Sequence, residues 1–250
     1  MILNIQGLEF KYKSVPVIKD VSFSVMEGEI LSILGCNGAG KTTLLKCLNH
    51  VLTHQGGTIQ IDGMDTEKMR PIEIARRMGW VPQRSDVSRM KVYDLILLGR
   101  KPYFRWEPTK NDYRKVEEAI SVFGIEDISL RFADELSGGE FQLVQIVRAL
   151  AQDPRVMLFD EPTSSLDIRN QHRLMSKIQT IIHGSPRAAV MTMHDINLAL
   201  RYSDKFLLLK DGCVCGAGDK RIITPEIIQE VYAMQVSVVE AAGYPLVVPI

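Results

Sequence analysis

Eight consecutive residues constrain this chain more than any others. Gly35-Cys36-Asn37-Gly38-Ala39-Gly40-Lys41-Thr42 fits the pattern G-x-x-x-x-G-K-[ST], a phosphate-binding loop. Bare backbone at Gly35, Gly38 and Gly40 lets N–H groups turn inward around a phosphate, where a Cβ would clash. Lys41 adds a mobile positive charge for β- and γ-phosphates, and Thr42 a hydroxyl for Mg²⁺. Asn37, Ala39 and Thr43 complete the set expected to touch nucleotide. The flanks agree. Glu29 to Leu34 is a short apolar run of buried-strand type, and Lys41 to Leu48 carries leucines at helical spacing. A strand, a glycine turn and a helix N-terminus make an anion site.

Such a loop needs a carboxylate on the Mg²⁺ side, at the end of a neighbouring buried strand. Val156-Met157-Leu158-Phe159-Asp160-Glu161 supplies one. Asp160 is expected to hold Mg²⁺ through water and Glu161 to polarise the attacking water. An apolar run ending in two acids is also what many helix starts look like, so the complete loop gives the pair its meaning. A third stretch, Leu136-Ser137-Gly138-Gly139-Glu140, has two readings. Ser137 and Glu140 form an S-x-x-E capping box ahead of a helix over Phe141 to Ala151. Yet glycines in a first turn cost up to ~1 kcal/mol each in helix propensity, and they make sense where backbone must approach an anion.

The remaining pattern is mixed α/β. Leu3 to Tyr12, Val17 to Val25 and Gly57 to Gly63 read as strands of a small antiparallel sheet. Glu67 to Met78 reads as a helix with Pro71 a possible break, and Gly79 to Gln83 as a short strand. From Arg84 to about Leu150 the pattern turns mostly helical, with i, i+3, i+4 spacing over Val92 to Leu98 and Asp112 to Phe123 and a loop over Gly99 to Thr109. Val156 to Phe159 and Ala188 to Met193 are β-rich apolar runs, each feeding a helix, which argues for a parallel sheet. Phe206 to Cys215 forms a hairpin around Asp211-Gly212. Thr224-Pro225-Glu226 opens a helix, and Val236 to Val248 closes the chain as a second hairpin.

Leu136 to Glu140, placed upstream of Asp160-Glu161, resembles the signature motif of the ABC ATPases. Tyr12 resembles the aromatic that stacks on adenine, where a plain strand aromatic would face the core. Gln83 resembles the Q-loop glutamine, Ser164-Ser165-Leu166-Asp167 the D-loop, and His194 the switch histidine. The resemblance implies a P-loop NTPase core over 1–83 and 151–218, made of a parallel sheet flanked by helices with an antiparallel β subdomain. It also implies a helical insertion subdomain over 84–150 and a C-terminal helix and hairpin over 219–250. The implied cofactors are ATP and Mg²⁺, with Thr42, Gln83 and Asp160 on the metal. The implied catalytic residues are Lys41, Gln83, Glu161 and His194. Ser137, Gly138, Gly139 and Glu140 would act in trans, on a nucleotide held by a second copy of the chain. Cys36 stands where this family often has proline, and Phe141 to Val144 replaces a more polar run after the signature.

Other features bound the partners. Lys and Arg together number 30, as do Asp and Glu, with no basic cluster, which argues against a nucleic-acid surface. No apolar run approaches the ~20 residues a bilayer crossing needs, and the N-terminus lacks a signal peptide's layout. The expectation is a cytoplasmic protein, peripheral on the inner face of the cell membrane. Val92 to Tyr103 and the Gly243-Tyr244-Pro245 tail are similar to ATPases of metal-chelate importers for siderophore–iron, haem or cobalamin, with molybdate and tungstate importers nearby. That implies two membrane permease subunits and, indirectly, a substrate-binding protein. An exporter ATPase is the main alternative. A soluble ABC ATPase of repair or translation would carry a long coiled coil or a second cassette. Cys213 and Cys215 offer two thiols where a structural zinc site has four ligands.

Overall fold

The computed structural model describes every residue except Arg84, Ser85, Ser88 and Ala242. Its centre is a six-stranded sheet in the order β10-β9-β3-β8-β7-β6. The strands are β3 (Ile30–Leu34), β6 (Met78–Val81), β7 (Val156–Asp160), β8 (Ala188–Thr192), β9 (Lys205–Lys210) and β10 (Cys213–Gly218). All neighbours run parallel except the β9–β10 hairpin. Every residue of β3, β7 and β8 is buried. That explains their largely apolar runs, since a parallel strand covered on both faces has no solvent side to show.

Alternation survives inside those runs as a choice between two cores. Leu31, Ile33, Leu158, Val190, Leu207 and Leu209 point to one side. They meet α1 (Lys41–Leu48) and the inner face of a second sheet. This antiparallel sheet, ordered β2-β1-β4-β5, joins β1 (Leu3–Tyr12), β2 (Val15–Val25), β4 (Gly56–Ile61) and β5 (Met64–Asp65). Ile30, Leu34, Met157, Phe159, Met191, Phe206 and Leu208 point to the other side. There they meet α3 (Val92–Leu97), α4 (Lys110–Phe123), α5 (Gly138–Ala151), α6 (Ile168–His183), α7 (Ile196–Tyr202) and α8 (Pro225–Tyr232). Period-2 geometry thus splits each strand between two apolar layers. The closing hairpin of β11 (Val236–Ala241) and β12 (Tyr244–Pro249) leans on α7. There Asn197 donates to the Val247 carbonyl at 3.2 Å and accepts its N–H at 2.8 Å.

The structure corrects the reading in three places. Pro71 does not break a helix but starts one: α2 spans Pro71–Arg77, preceded by a separate 3₁₀ turn over Thr66–Lys68. Proline suits a first helical position because the N–H it lacks has no partner there. Met78, expected to end that helix, begins β6 instead. The stretch from Gly99, expected as loop, opens with a 3₁₀ turn over Leu98–Arg100 and holds a structural anchor. Arg100 is buried, donates to Asp112 at 2.9 Å and to the Ala151 and Gln152 carbonyls at 3.0 and 3.2 Å. Its guanidinium stacks 3.8 Å from the Tyr103 ring centroid. One side chain therefore ties α3, α4 and the end of α5 together. The expected start of the helical stretch, at Arg84, lies outside the described residues.

Candidate functional site

The phosphate loop joins β3 to α1. Gly35 has φ +149°, and a Cβ there would lie 2.2 Å from the Leu209 carbonyl oxygen, so only glycine fits. Gly40 has φ +100° and presses on Ile18 and Val17 of β2. α1 starts directly after it with Lys41, Thr42 and Thr43, whose N–H groups come before the first intrahelical donor, the Leu44 N–H that the Gly40 carbonyl accepts at 2.8 Å. Asn37, Gly38, Gly40, Lys41, Thr42 and Thr43 line one open pocket together with Val17 and Glu161. Ala39 is buried beneath it.

Lys41 is buried, and its ammonium donates to the Gly35 carbonyl at 2.6 Å and the Cys36 carbonyl at 3.1 Å. Burial holds its pKa below the ordinary lysine value, against the opposing pull of Glu161, Cys36 and Asp160. The Thr42 hydroxyl donates to Asp160 at 3.0 Å. Thr192, at the end of β8, donates to the same carboxylate oxygen at 2.8 Å and accepts the Glu161 N–H at 2.9 Å. Glu161 takes φ +50°, a left-handed turn that swings its side chain off the β7 strand line. Its carboxylate meets the Gln83 amide through one oxygen and His194 Nε2 through the other. The ends of β3, β6, β7 and β8 thus deliver Lys41, Thr42, Gln83, Asp160, Glu161 and His194 to one place. That is the carboxyl edge of the parallel strands, where open α/β sheets bind ligands.

Thr192 is the member that sequence reading missed. Its only signal was a hydroxyl closing the apolar run Ala188 to Met193, just before His194. Tyr12 ends β1 and is 45% exposed, so the core-facing alternative fails. Phe10 takes the buried position, with the Tyr12 ring edge-on at 4.7 Å.

Ser137 to Glu140 lie elsewhere. Ser137 caps α5: its hydroxyl accepts the Glu140 N–H at 3.3 Å and donates to the Glu140 carboxylate at 2.7 Å. Glu140 in return accepts the Ser137 N–H at 2.8 Å, and Arg131 stands 3.6 Å away. Those bonds hold its carboxyl below the usual carboxylate range. The capping box is real, and the glycines ride on it. Gly138 is exposed with open space at its Cβ position. Gly139 packs so closely on Leu166 that a Cβ would lie 2.9 Å from its Cδ2. Asp167 caps α6 through the Asn170 N–H at 2.8 Å, and Ser165 beside it is exposed. The cleft lined by Ser137, Gly139, Glu140 and Leu166 shares no residue with the phosphate-loop pocket.

The ABC transporter family is matched over residues 18–164, more than half of the chain. The chain belongs to the ABC transporter family. An uncharacterized ABC transporter ATP-binding protein of Methanocaldococcus jannaschii is 46% identical over 250 residues, covering 100% of this chain and 98% of that one. The ferric enterobactin transport ATP-binding protein FepC of Escherichia coli is 32% identical, covering 98% of this chain and 93% of its own. Among solved structures, an inward-facing ABC transporter assigned to the metal-chelate type superposes with a TM-score of 0.86 at 28% identity. It covers 100% of this chain and 97% of that chain. The protein is an ABC ATP-binding subunit that hydrolyses ATP on a P-loop NTPase fold. Among the described residues no helix is long and apolar enough to cross a membrane.

Proposed function

We propose that this ABC subunit powers uptake of a metal chelate through a separate membrane permease, as a head-to-tail pair of identical chains. One observation carries the pairing. The capped glycines Gly138 and Gly139 stand away from their own chain's phosphate pocket, on a surface open to another copy. Each nucleotide would then take Tyr12, Gly35 and residues 37–43 from one chain, and Ser137 to Glu140 with Ser165 and Asp167 from its partner. One ATPase domain over 1–250 carries this, with 84–150 as the helical insertion and 219–250 as the C-terminal addition.

The oxygen donors Thr42, Asp160 and Gln83 suit a hard cation. Mg²⁺ held there would neutralise charge on the β- and γ-phosphates. Lys41 would leave its loop carbonyls for the phosphates. Glu161, held between Gln83 and His194, accepts a proton from the attacking water or orients it. His194, 47% exposed on its side chain, can turn to the γ-phosphate without unpacking.

Import of a chelate is supported by the names and titles of the relatives. Docking on a permease is supported by a cleft between α2 with its preceding 3₁₀ turn and the stretch that follows α3. Leu98, Gly99, Lys101 and Pro102, from the stretch Val92 to Tyr103, line it opposite Thr66 and Ile74. A permease segment seated there would hold the subunit on the inner membrane face, with the permease in turn receiving cargo from a substrate-binding protein.

Glu161→Gln tests the chemistry. It is expected to bind ATP normally and to lose turnover by roughly 10²- to 10⁴-fold. Near-normal turnover would remove Glu161 from its role. Co-purification with a permease whose chelate stimulates ATP hydrolysis tests the transport reading.

A further inference from the structure

The last residues of the helix α8 reach back to the first residues of the phosphate loop. The Tyr232 hydroxyl, at the last residue of α8, accepts the Gly35 N–H at 2.9 Å. The Cys36 thiol donates to the Val231 carbonyl at 3.3 Å. Burial pushes the Tyr232 hydroxyl up to about 12, so it stays a neutral partner across the working pH range. The backbone of Gly35 is therefore held by two anchors. Lys41 holds its carbonyl, and Tyr232 holds the N–H of the same glycine.

These anchors differ in kind. A lysine drawn to phosphate cannot also serve the Gly35 and Cys36 carbonyls, so its hold on the loop ends when nucleotide arrives. Tyr232 has no such competing task. α8 is itself fixed: Ile228 and Val231 are buried, and Lys210 donates to the Glu230 carbonyl at 2.8 Å. A donor–acceptor pair between a rigid helix end and Gly35 is suited to hold this loop while its own lysine is engaged elsewhere.

We propose that Tyr232 is a positioning residue for nucleotide binding, acting through the Gly35 peptide and touching no substrate itself. The inference rests on the reading of residues 35–42 as the phosphate loop.

Tyr232→Phe keeps the ring and removes the oxygen. The loss of one hydrogen bond to a neutral partner is expected to weaken ATP and ADP binding, and to raise KM for ATP, by roughly three- to tenfold. At saturating ATP, kcat should stay near wild type, while the nucleotide-free protein, its buried Gly35 N–H left without an acceptor, should melt a few degrees lower. The loop's release from α8 should also speed alkylation of Cys36 by iodoacetamide, measured by peptide mass spectrometry against exposed Cys213 as internal reference. A lower melting temperature with unchanged nucleotide affinity would mean a packing role only and overturn the proposal. Unchanged affinity with unchanged Cys36 alkylation would do the same. Lys41→Ala separates the two levels. If it still binds ATP like wild type, the phosphate-loop reading itself fails. If it loses ATP while Tyr232→Phe matches wild type, only the positioning role falls.

Discussion

At the scale of single residues, the site is built from side chains whose partners sit far away in the chain. Thr192 bridges Asp160 and the Glu161 backbone, and Glu161 accepts a left-handed turn whose cost is of order 1–3 kcal/mol. Lys41 illustrates how burial shapes binding. Its charged form is penalised by desolvation, so the nucleotide-free lysine gives up its proton below the ordinary value of 10.5. Phosphate favours the charged form, so ATP binding at alkaline pH takes up a proton. Affinity for ATP should therefore be flat at neutral pH and fall as pH rises, beginning below 10.5. A nucleotide titration across alkaline pH checks this, with a buffer-dependent enthalpy reporting proton uptake. An affinity that holds level to the ordinary lysine range would mean that Lys41 is not desolvated.

At the scale of elements, what could be read from sequence was what depends on neighbours. The buried strands, the capping box at Ser137 and the caps at Thr224 and Asp167 each follow from residues within a few positions. Pro71 shows the limit of such reading, because a proline at a first helical position and a proline breaking a helix look alike until the caps are seen. Arg100 was illegible for another reason. Its partners are 12, 51 and 52 residues away, and no periodicity announces them. Arg100→Ala would leave the Asp112 carboxylate buried without its cation, even with Thr109 still bonded to it. The expected loss is roughly 3 kcal/mol or more, read from urea unfolding. A loss under ~1 kcal/mol would show that water reaches Asp112.

At the scale of the whole molecule, the residues expected to act on nucleotide fall into two separate groups. Lys41, Thr42, Gln83, Asp160, Glu161 and His194 converge in one chain, while Ser137 to Glu140 belong to a separate cleft. If two copies complete each other, ATP turnover per chain should fall on dilution while ATP binding per chain does not. Ser137→Arg should abolish turnover at every concentration and leave binding by the single chain unchanged. Turnover that is independent of concentration, and indifferent to Ser137, would place the whole reaction within one subunit.

The central sheet also partitions the molecule. Each buried strand sends alternate side chains into two apolar layers, one on either side of its pleat. The sheet works as a bulkhead. The layer beneath the phosphate loop and α1 can stay still while the helices across the wall, α3 to α5 among them, shift against their own side of it. The carboxyl ends of the sheet's strands, where the phosphate loop, Asp160 and Thr192 sit, border both compartments.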